Sequence, residues 1–151
     1  MKAQARYIKE YNDLEKDKGF KVWQVDNDVK HWKAVVEGPP NSMYEGRNFQ
    51  VDIKIAENYP FMPPKIQFDT KLAHPNISPQ TGDVCLNILR DGWSPALSIK
   101  AVLLKIQAML MTPEPTNSQD FVITGQTKEK NINGVKTMCR KKYWLFTDEY
   151  K

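Results

Sequence analysis

Residues 48–55, which read NFQVDIKI, decide the fold class of this chain. Every second residue from Phe49 to Ile55 is apolar, and the residues between them are polar or charged. A period of two predicts a β-strand with one buried face and one face in water, as in an antiparallel sheet. The rest of the sequence must therefore supply further strands and the elements that cover the buried face.

Three more strands are predicted around this stretch. The first is imperfect and extends from Phe20 to Val25, and the second covers residues 31–36 with an apolar residue at every second position. A proline-rich bend at residues 59–64 follows the strand of residues 48–55. After that bend, Lys65–Phe68 are predicted to form a short fourth strand.

Helices are predicted on either side of the strands. Residues 3–16 carry apolar side chains at helical spacing, and a final helix is predicted from about Asn133 to Phe146. Between them, Ser98 can cap a strong helix that Pro113 ends. The apolar stripe of this helix consists of Ile99, Val102, Leu103, Ile106, Met109 and Leu110.

The order of these elements predicts an α+β domain over residues 1–151. Its four-stranded antiparallel meander sheet is flanked by an N-terminal helix, a central helix and C-terminal helices. With 151 residues, of which 40% are apolar and 26% charged, the chain is large enough for one hydrophobic core. One domain suffices.

Composition argues against several protein classes. The sequence contains no window of 18 apolar residues, so no membrane span is predicted. The N-terminus has no apolar run typical of a secretory signal. The two cysteines, Cys85 and Cys139, lie in different contexts and do not predict a disulfide framework. We therefore expect a reducing setting, cytoplasmic or nuclear.

The net charge of +4 raises the question of a nucleic-acid partner. The basic residues are scattered, and their only dense run is residues 140–142. No aromatic and basic motif accompanies them, so we expect no nucleic-acid partner. A basic nucleic-acid-binding module stays open as an alternative that rests on charge alone.

The stretch from Thr70 to Leu97 shows no regular pattern, and its length is typical of a functional loop. It contains Cys85 close behind Gly82 and Asp83. A thiol on an irregular segment is either a reactive group held by the scaffold or an inert side chain. Residue type alone leaves both open. Cys139 falls on an apolar helical stripe and is interpreted as structural.

Only two histidines could assist a catalytic cysteine. His31 is interpreted as a half-exposed residue that opens a strand. His74 precedes Pro75, which restricts its backbone and favours a ring that braces the loop over a mobile base. Two cysteines and two histidines without finger spacing predict no metal site.

Several motifs together resemble the catalytic core of the ubiquitin-conjugating enzyme family. The tripeptide His74-Pro75-Asn76 is followed nine positions later by Cys85, within VCLNIL at residues 84–89. Residues 93–97 read WSPAL, and residues 59–64 read YPFMPP. The resemblance continues in the early strands, at residues 31–32, 38–40 and 44–46. It covers essentially the whole chain, with the motifs in the family's order and spacing.

The resemblance implies that Cys85 carries ubiquitin as a thioester, loaded by an activating enzyme and discharged to a lysine or to another thiol. Asn76 would stabilise the negative oxygen that forms during attack, or order the loop, or both. His74 and Asp83 would support the loop. No cofactor is implied. The alternative is a carrier of a ubiquitin-like modifier, whereas a variant of the fold that only binds ubiquitin would lack the cysteine.

One position departs from the family pattern. By alignment, Asn117 stands where many members carry an acid that borders the cysteine. An amide can orient an incoming amine but cannot take its proton. Two alternatives follow: transfer to lysine is slower without a partner, or the acid comes from elsewhere, such as Asp83 or Asp120. Because no base is adjacent to Cys85 in sequence, we expect its thiol to keep a nearly ordinary pKa.

The resemblance also implies the partner surfaces. Phe61, Pro95 and Ala96 match the loops with which family members meet RING-type ligases, and Arg6 and Lys9 match the accompanying basic contacts. In addition, Leu104 matches a contact with the donor ubiquitin, while Leu97 is interpreted as core and Trp93 as a loop-stabilising aromatic. The expected partners are ubiquitin, its activating enzyme and a RING-type or HECT-type ligase.

Overall fold

Four consecutive strands form one antiparallel sheet in the order β1-β2-β3-β4. The computed structural model describes residues 2–72, 74, 76–78 and 80–112, with side chains from residue 6 onward. Helix α1 covers Lys2–Lys16 and helix α2 covers Ile99–Met111. The strands are β1 at Lys21–Val25, β2 at Asp28–Glu37, β3 at Asn48–Lys54 and β4 at Lys65–Phe68.

The register of the two central strands separates a buried face from an outer face. Val36 pairs with Phe49, and Trp32 pairs with Ile53, and all four side chains are buried. The predicted alternation around residues 48–55 holds for the apolar residues, whereas Asp52 on the outer face is also buried, where it pairs with His31 and Lys33. The strand itself ends at Lys54, but Ile55 is still buried, and its N–H donates to the carbonyl of Lys30 at 2.8 Å.

The irregularity predicted for the first strand has a structural cause. β1 begins at Lys21, one residue after Phe20, and its pairing with β2 shifts register between Gln24 and Val25. Asp26 and Asn27 follow with φ of 53° and 58°, which is the turn geometry that matches the twist of two paired strands. The register shift breaks the period of two in β1. β2 begins at Asp28, three residues before the predicted start.

Both helices lie against the inner face of the sheet. On α1, Tyr7 and Leu14 are buried, and the Tyr11 ring meets the Trp32 ring edge-on with centroids 5.2 Å apart. The six apolar residues predicted on the α2 stripe are all buried. The hydroxyl of Ser98 accepts from the N–H of Ala101 at 3.0 Å, which confirms the predicted N-cap.

Residues between β4 and α2 form the predicted irregular segment. Its only helical turn among the described residues is a 3-10 turn at Asn87–Leu89, and Ile77 forms isolated bridges with His74 and Val84. Gly82 fastens this segment to β4, since its carbonyl accepts from the N–H of Phe68 at 2.8 Å. With φ of +79°, Gly82 leaves no room for a side chain, because a Cβ would lie 2.1 Å from the carbonyl oxygen of Phe68.

Several predictions fall outside the described residues: the helix expected from about Asn133 to Phe146, the helix stop at Pro113, and the positions of Asn117, Asp120 and Cys139. Neither of the two described helices combines the length and the apolar surface that crossing a bilayer requires.

Candidate active site

Cys85 lies on an extended stretch between two core residues, Val84 and Leu86. Its backbone N–H donates to the carbonyl oxygen of Asn76 at 2.7 Å, so the two halves of the loop run side by side at the cysteine. The thiol is free, and the residue is 5% exposed. The sequence motif therefore corresponds to a real spatial pair, since residues nine positions apart in the chain are in contact.

Arg90 is the charged group that meets the thiol. Its guanidinium donates a hydrogen bond to the Sγ of Cys85 from the turn that follows Asn87–Leu89. Burial raises the pKa of the Cys85 thiol, and the positive charge of Arg90 opposes that rise. The net shift is upward, away from a reactive thiolate, whereas the sequence predicted a nearly ordinary pKa. Arg90 was not predicted as a site residue, although a cation five residues after the cysteine was a visible signal.

His74 braces the loop and does not act as a base for Cys85. Its Nε2 lies 2.9 Å from the carbonyl oxygen of Met109, which can only accept, so Nε2 carries the proton. Its Nδ1 accepts from the N–H of Asn76 at 3.0 Å. Both ring nitrogens are therefore occupied. Burial lowers the pKa of His74 to about 4, so the ring is neutral at physiological pH.

The second histidine lies on the outer face of the sheet. His31 Nε2 is 2.6 Å from the carboxylate of Asp52, and the Lys33 ammonium lies 3.1 Å from the same carboxylate. Its side chain is 27% exposed, in agreement with a half-exposed strand residue. Because the chain has only two histidines, a protease-like Cys–His pair is not formed.

Asn76 is fully buried at the centre of the loop. Its backbone N–H bonds to His74 and its carbonyl bonds to Cys85. Its side chain is also engaged, and no buried side-chain nitrogen or oxygen in the described part of the chain lacks a hydrogen-bond partner. The ordering role of Asn76 is thus built into the fold, and its oxyanion role stays a prediction.

Asp83 fastens the loop to the sheet. Its carboxylate accepts from the side-chain amide of Gln67 on β4 at 2.7 Å, and its carbonyl accepts from the N–H of Ser78 at 2.9 Å. These contacts fit the loop-supporting role predicted for Asp83. The hydrogen bond from Gln67 occupies the Asp83 carboxylate, which was predicted as one possible replacement for the acid that many family members carry at the position of Asn117. Asn117 itself lies outside the described residues.

An exposed apolar surface occupies the turn after β3. The Phe61 side chain is 74% exposed, and Met62 beside it, which sequence analysis missed, is 51% exposed. Pro95 and Ala96 are also exposed, on the loop before α2. Trp93 links the two loops, because its Nε1 donates to the carbonyl of Pro60 at 2.8 Å. The loop-stabilising role predicted for Trp93 agrees with this contact.

The remaining predicted contact residues differ in accessibility. Lys9 is 80% exposed on α1, and Leu104 is 48% exposed on α2, away from the buried stripe. Leu97, interpreted as core, is half-buried. Arg6 is part-buried and hydrogen-bonds within the chain, to the carbonyl of Leu97. Lys9 thus forms an exposed ion pair with Asp13 at 3.8 Å, whereas Arg6 is held by a hydrogen bond across the chain.

Comparisons with known proteins agree on one family. The family described as ubiquitin-conjugating enzyme matches residues 6–142. The ubiquitin-conjugating enzyme E2 1 of Schizosaccharomyces pombe is 50% identical over 117 residues, which are 76% of this chain and 54% of that protein. This chain thus spans about half the length of that relative.

Two further relatives cover more of the chain. The ubiquitin-conjugating enzyme E2 27 of Arabidopsis thaliana is 42% identical over 95% of this chain and 74% of its own length. Among solved structures, an E2 domain of a ubiquitin-conjugating enzyme from Toxoplasma gondii superposes with a TM-score of 0.79. It is 42% identical and covers 97% of both chains, which confirms the predicted α+β fold.

Proposed function

This chain belongs to the ubiquitin-conjugating enzyme family, and from that premise we propose that it accepts ubiquitin as a thioester on Cys85 and transfers it to an amine or to a ligase. The observation that carries the proposal is the backbone pairing of Cys85 with Asn76 in the segment between β4 and α2. That pairing sets the nucleophile beside the residue expected to stabilise negative charge.

The loading step is an exchange between thiols. The thiolate of Cys85 attacks the carbonyl carbon of the ubiquitin C-terminus, which arrives as a thioester on the activating enzyme. A carbon–sulfur bond forms at Cys85 as the bond to the activating enzyme breaks, and that enzyme's sulfur leaves as a thiolate. No oxidant or metal is needed, because the acyl group is already activated.

Discharge follows the same chemistry with a different nucleophile. An uncharged lysine amine attacks the thioester, a tetrahedral intermediate places negative charge on the former carbonyl oxygen, and its collapse forms an amide. Cys85 leaves as a thiolate, and the proton of the amine passes to solvent. A donor beside the oxyanion is worth about 3–4 kcal/mol of barrier in other acyl-transfer enzymes.

The environment of the thiol suits a carrier. A thiol with a raised pKa leaves more slowly, so its thioester resists premature discharge. The Arg90 guanidinium at Sγ counteracts this by stabilising the thiolate that is released. The thioester would consequently persist until a partner or a well-oriented amine promotes its discharge.

We further propose that the partners of discharge are RING-type or HECT-type ligases. The exposed Phe61 ring supports this, because buried aromatic anchors at the centre of an interface carry much of its binding energy. Lys9, an exposed cation on α1, is the proposed basic contact for the ligase. Leu104, exposed on α2, is the proposed contact for the donor ubiquitin.

A carrier of a ubiquitin-like modifier is the alternative that the sequence leaves open. It receives no support from the relatives described above, each of which is named for ubiquitin. Ubiquitin is therefore the proposed cargo.

A charging assay tests the proposal. The purified chain is incubated with ubiquitin-activating enzyme, ATP and ubiquitin, and the products are resolved on non-reducing gels. We expect an adduct that collapses with reductant, and Cys85→Ser should replace it with an adduct that resists reductant. Cys139→Ser is the matched control, because Cys139 is the other cysteine of the chain. Absence of the adduct, or its loss in Cys139→Ser alone, contradicts the proposal.

A further inference from the structure

One carboxylate joins three separate elements beneath the exposed loops. Glu10 lies on α1, and its Oε1 accepts from the backbone N–H of Ile99, the first residue of α2, at 2.8 Å. Its Oε2 accepts from the hydroxyl of Tyr59 at 2.5 Å. The Glu10 side chain is only 14% exposed, so these hydrogen bonds are largely shielded from water.

Arg6 belongs to the same group of contacts. Its Nη2 donates to the carbonyl oxygen of Leu97 at 2.5 Å, and its Nε lies 3.5 Å from Oε2 of Glu10. The guanidinium carbon is 5.6 Å from the centroid of the Tyr59 ring, within the range of a cation–π contact. The Arg6 side chain is 31% exposed. We call Arg6, Glu10 and Tyr59, with the backbone of Leu97 and Ile99, the Glu10 cluster.

The Glu10 cluster lies directly beside both exposed loops. Tyr59 is fully buried and is two residues before the exposed Phe61. Leu97 follows Ala96 directly in the chain. The Trp93 ring packs 5.9 Å from the Tyr59 ring and adds a second link between the loops. The loops that carry Phe61 and Ala96 are therefore connected through Tyr59, Glu10 and Arg6.

The hydrogen bonds that the Glu10 carboxylate accepts from Tyr59 and Ile99 are charge-assisted. An ionised carboxylate that accepts from a hydroxyl and from a helix N-terminal N–H forms short bonds, and the first turn of a helix favours a negative charge. Burial, together with the Glu10 carboxylate, raises the pKa of the Tyr59 phenol, so its proton stays available for donation. A binding surface that is fixed before the partner arrives loses less entropy on binding.

We propose that Glu10 is a positioning residue for ligase docking, which holds the Phe61 turn and the Pro95-Ala96 loop at a fixed separation, and that Arg6 acts through Glu10. This inference rests on the proposed function and changes the role of Arg6, which the family resemblance assigned to direct ligase contact. Lys9 remains the direct basic contact on α1.

A double-mutant cycle on binding separates a positioning role from direct contact. The probe is a panel of isolated RING domains, with affinity measured by calorimetry for the wild-type chain, Arg6→Ala, Glu10→Gln and the double variant. We expect Glu10→Gln to weaken the RING affinity about tenfold, which is within the range of coupling between neighbouring residues. Adding Arg6→Ala to Glu10→Gln should weaken the affinity little further.

The control is Lys9→Ala. Because Lys9 is 80% exposed and outside the Glu10 cluster, its effect should add to that of Glu10→Gln. Tyr59→Phe, which removes one hydroxyl, should reproduce part of the loss. A general loss of stability would lower the free energy of unfolding of every buried variant. It would not make the effects of Arg6→Ala and Glu10→Gln on RING affinity non-additive while those of Lys9→Ala and Glu10→Gln add.

A second measurement needs no ligase. In amide NMR spectra, Glu10→Gln should shift the resonances of Phe61 and Ala96, whereas Lys9→Ala should leave them in place. The inference is overturned if Glu10→Gln leaves the Phe61 and Ala96 resonances or the RING affinity unchanged. It is also overturned if the effects of Arg6→Ala and Glu10→Gln on affinity add, or if the wild-type chain binds no RING domain of the panel. None of these readouts requires a thioester, so a failed charging assay overturns the proposed function alone.

Discussion

The backbone N–H of Cys85 donates to the carbonyl oxygen of Asn76 across 2.7 Å, and the N–H of Asn76 in turn donates to the His74 ring. His74 closes the series by donating to the carbonyl of Met109 near the end of α2. The cysteine is thus connected to α2 through three hydrogen bonds. This connection explains how an irregular segment holds a reactive group in one position.

Substitution of Asn76 should affect discharge more than loading. In Asn76→Ala the backbone contacts with Cys85 and His74 can remain, but the side-chain amide proposed to stabilise the charged oxygen is lost. We expect discharge of the ubiquitin thioester to free lysine to slow by about 100-fold, the scale found for oxyanion donors. Single-turnover discharge measures this, and Asn12→Ala, an exposed substitution on α1, is the control. Equal slowing of loading and discharge would contradict an oxyanion role.

Arg90 should control the ionisation of the cysteine. Because the guanidinium lowers the pKa that burial raises, Arg90→Ala should shift the midpoint of Cys85 alkylation to higher pH. Arg90→Lys should restore most of the shift, since the charge is kept. Alkylation rates with iodoacetamide across pH measure the midpoint in a Cys139→Ser background. A wild-type midpoint well below neutrality, or no change in Arg90→Ala, would contradict this assignment.

Burial of His74 should make the fold sensitive to mild acid. The folded ring has a pKa of about 4, against 6.5 for an unburied histidine. As pH falls from 6.5 towards 4, the unfolded chain binds a proton that the folded chain does not, so the free energy of unfolding decreases. The slope should approach about 1 kcal/mol per pH unit.

Urea denaturation at pH 7, 6 and 5 measures this slope. His74→Gln removes the titrating ring and should make the free energy of unfolding nearly independent of pH in this range. His31→Gln is the matched control, and its free energy of unfolding should still decrease as the pH falls, by the amount assigned to His74. Burial raises the pKa of the Asp52 carboxyl, but its hydrogen bonds to His31 and Lys33 outweigh burial and hold that pKa below its ordinary 3.8, so Asp52 protonates below this window. A wild-type stability that is constant from pH 7 to pH 5 would disprove the assignment.

Substitution by alanine should destabilise the protein more at Gly82 than at Gly46. Both have positive φ, of +79° and +81°, but only at Gly82 does a new Cβ meet backbone, 2.1 Å from the carbonyl of Phe68. Gly46→Ala should cost about 1–2 kcal/mol of unfolding free energy, from backbone strain alone. Gly82→Ala should cost roughly 3 kcal/mol or more, because the loop must move away from β4.

Chemical denaturation compares these two variants directly, and the charging assay reports on the loop. We expect Gly82→Ala to load ubiquitin more slowly than Gly46→Ala, because displacing Gly82 disturbs the pairing of residues 76–78 with residues 83–85. Equal stability of the two variants would show that the contact with Phe68 does not constrain the loop.

The regular elements were predictable because their signals are local. The alternation at residues 48–55 and the stripe of α2 depend on neighbours two to four positions apart, so the sequence states them directly. β1 was harder, because its register shift at Gln24 and Val25 depends on the partner strand. The active-site loop could be recognised from the residues at 74–76 and Cys85, though not from any periodicity.

Sequence alone therefore determined the α+β fold, the family and the identity of the cysteine with its Asn76 partner. Only the tertiary structure decided that Arg90 meets the thiol, that both ring nitrogens of His74 are hydrogen-bonded, and that Arg6 bonds to Leu97 within the chain. Arg6 and Leu97 are 91 positions apart, and Glu10 and Ile99 are 89 apart. Contacts at such separations arise when packed elements bring side chains together, and no local pattern in the chain encodes them.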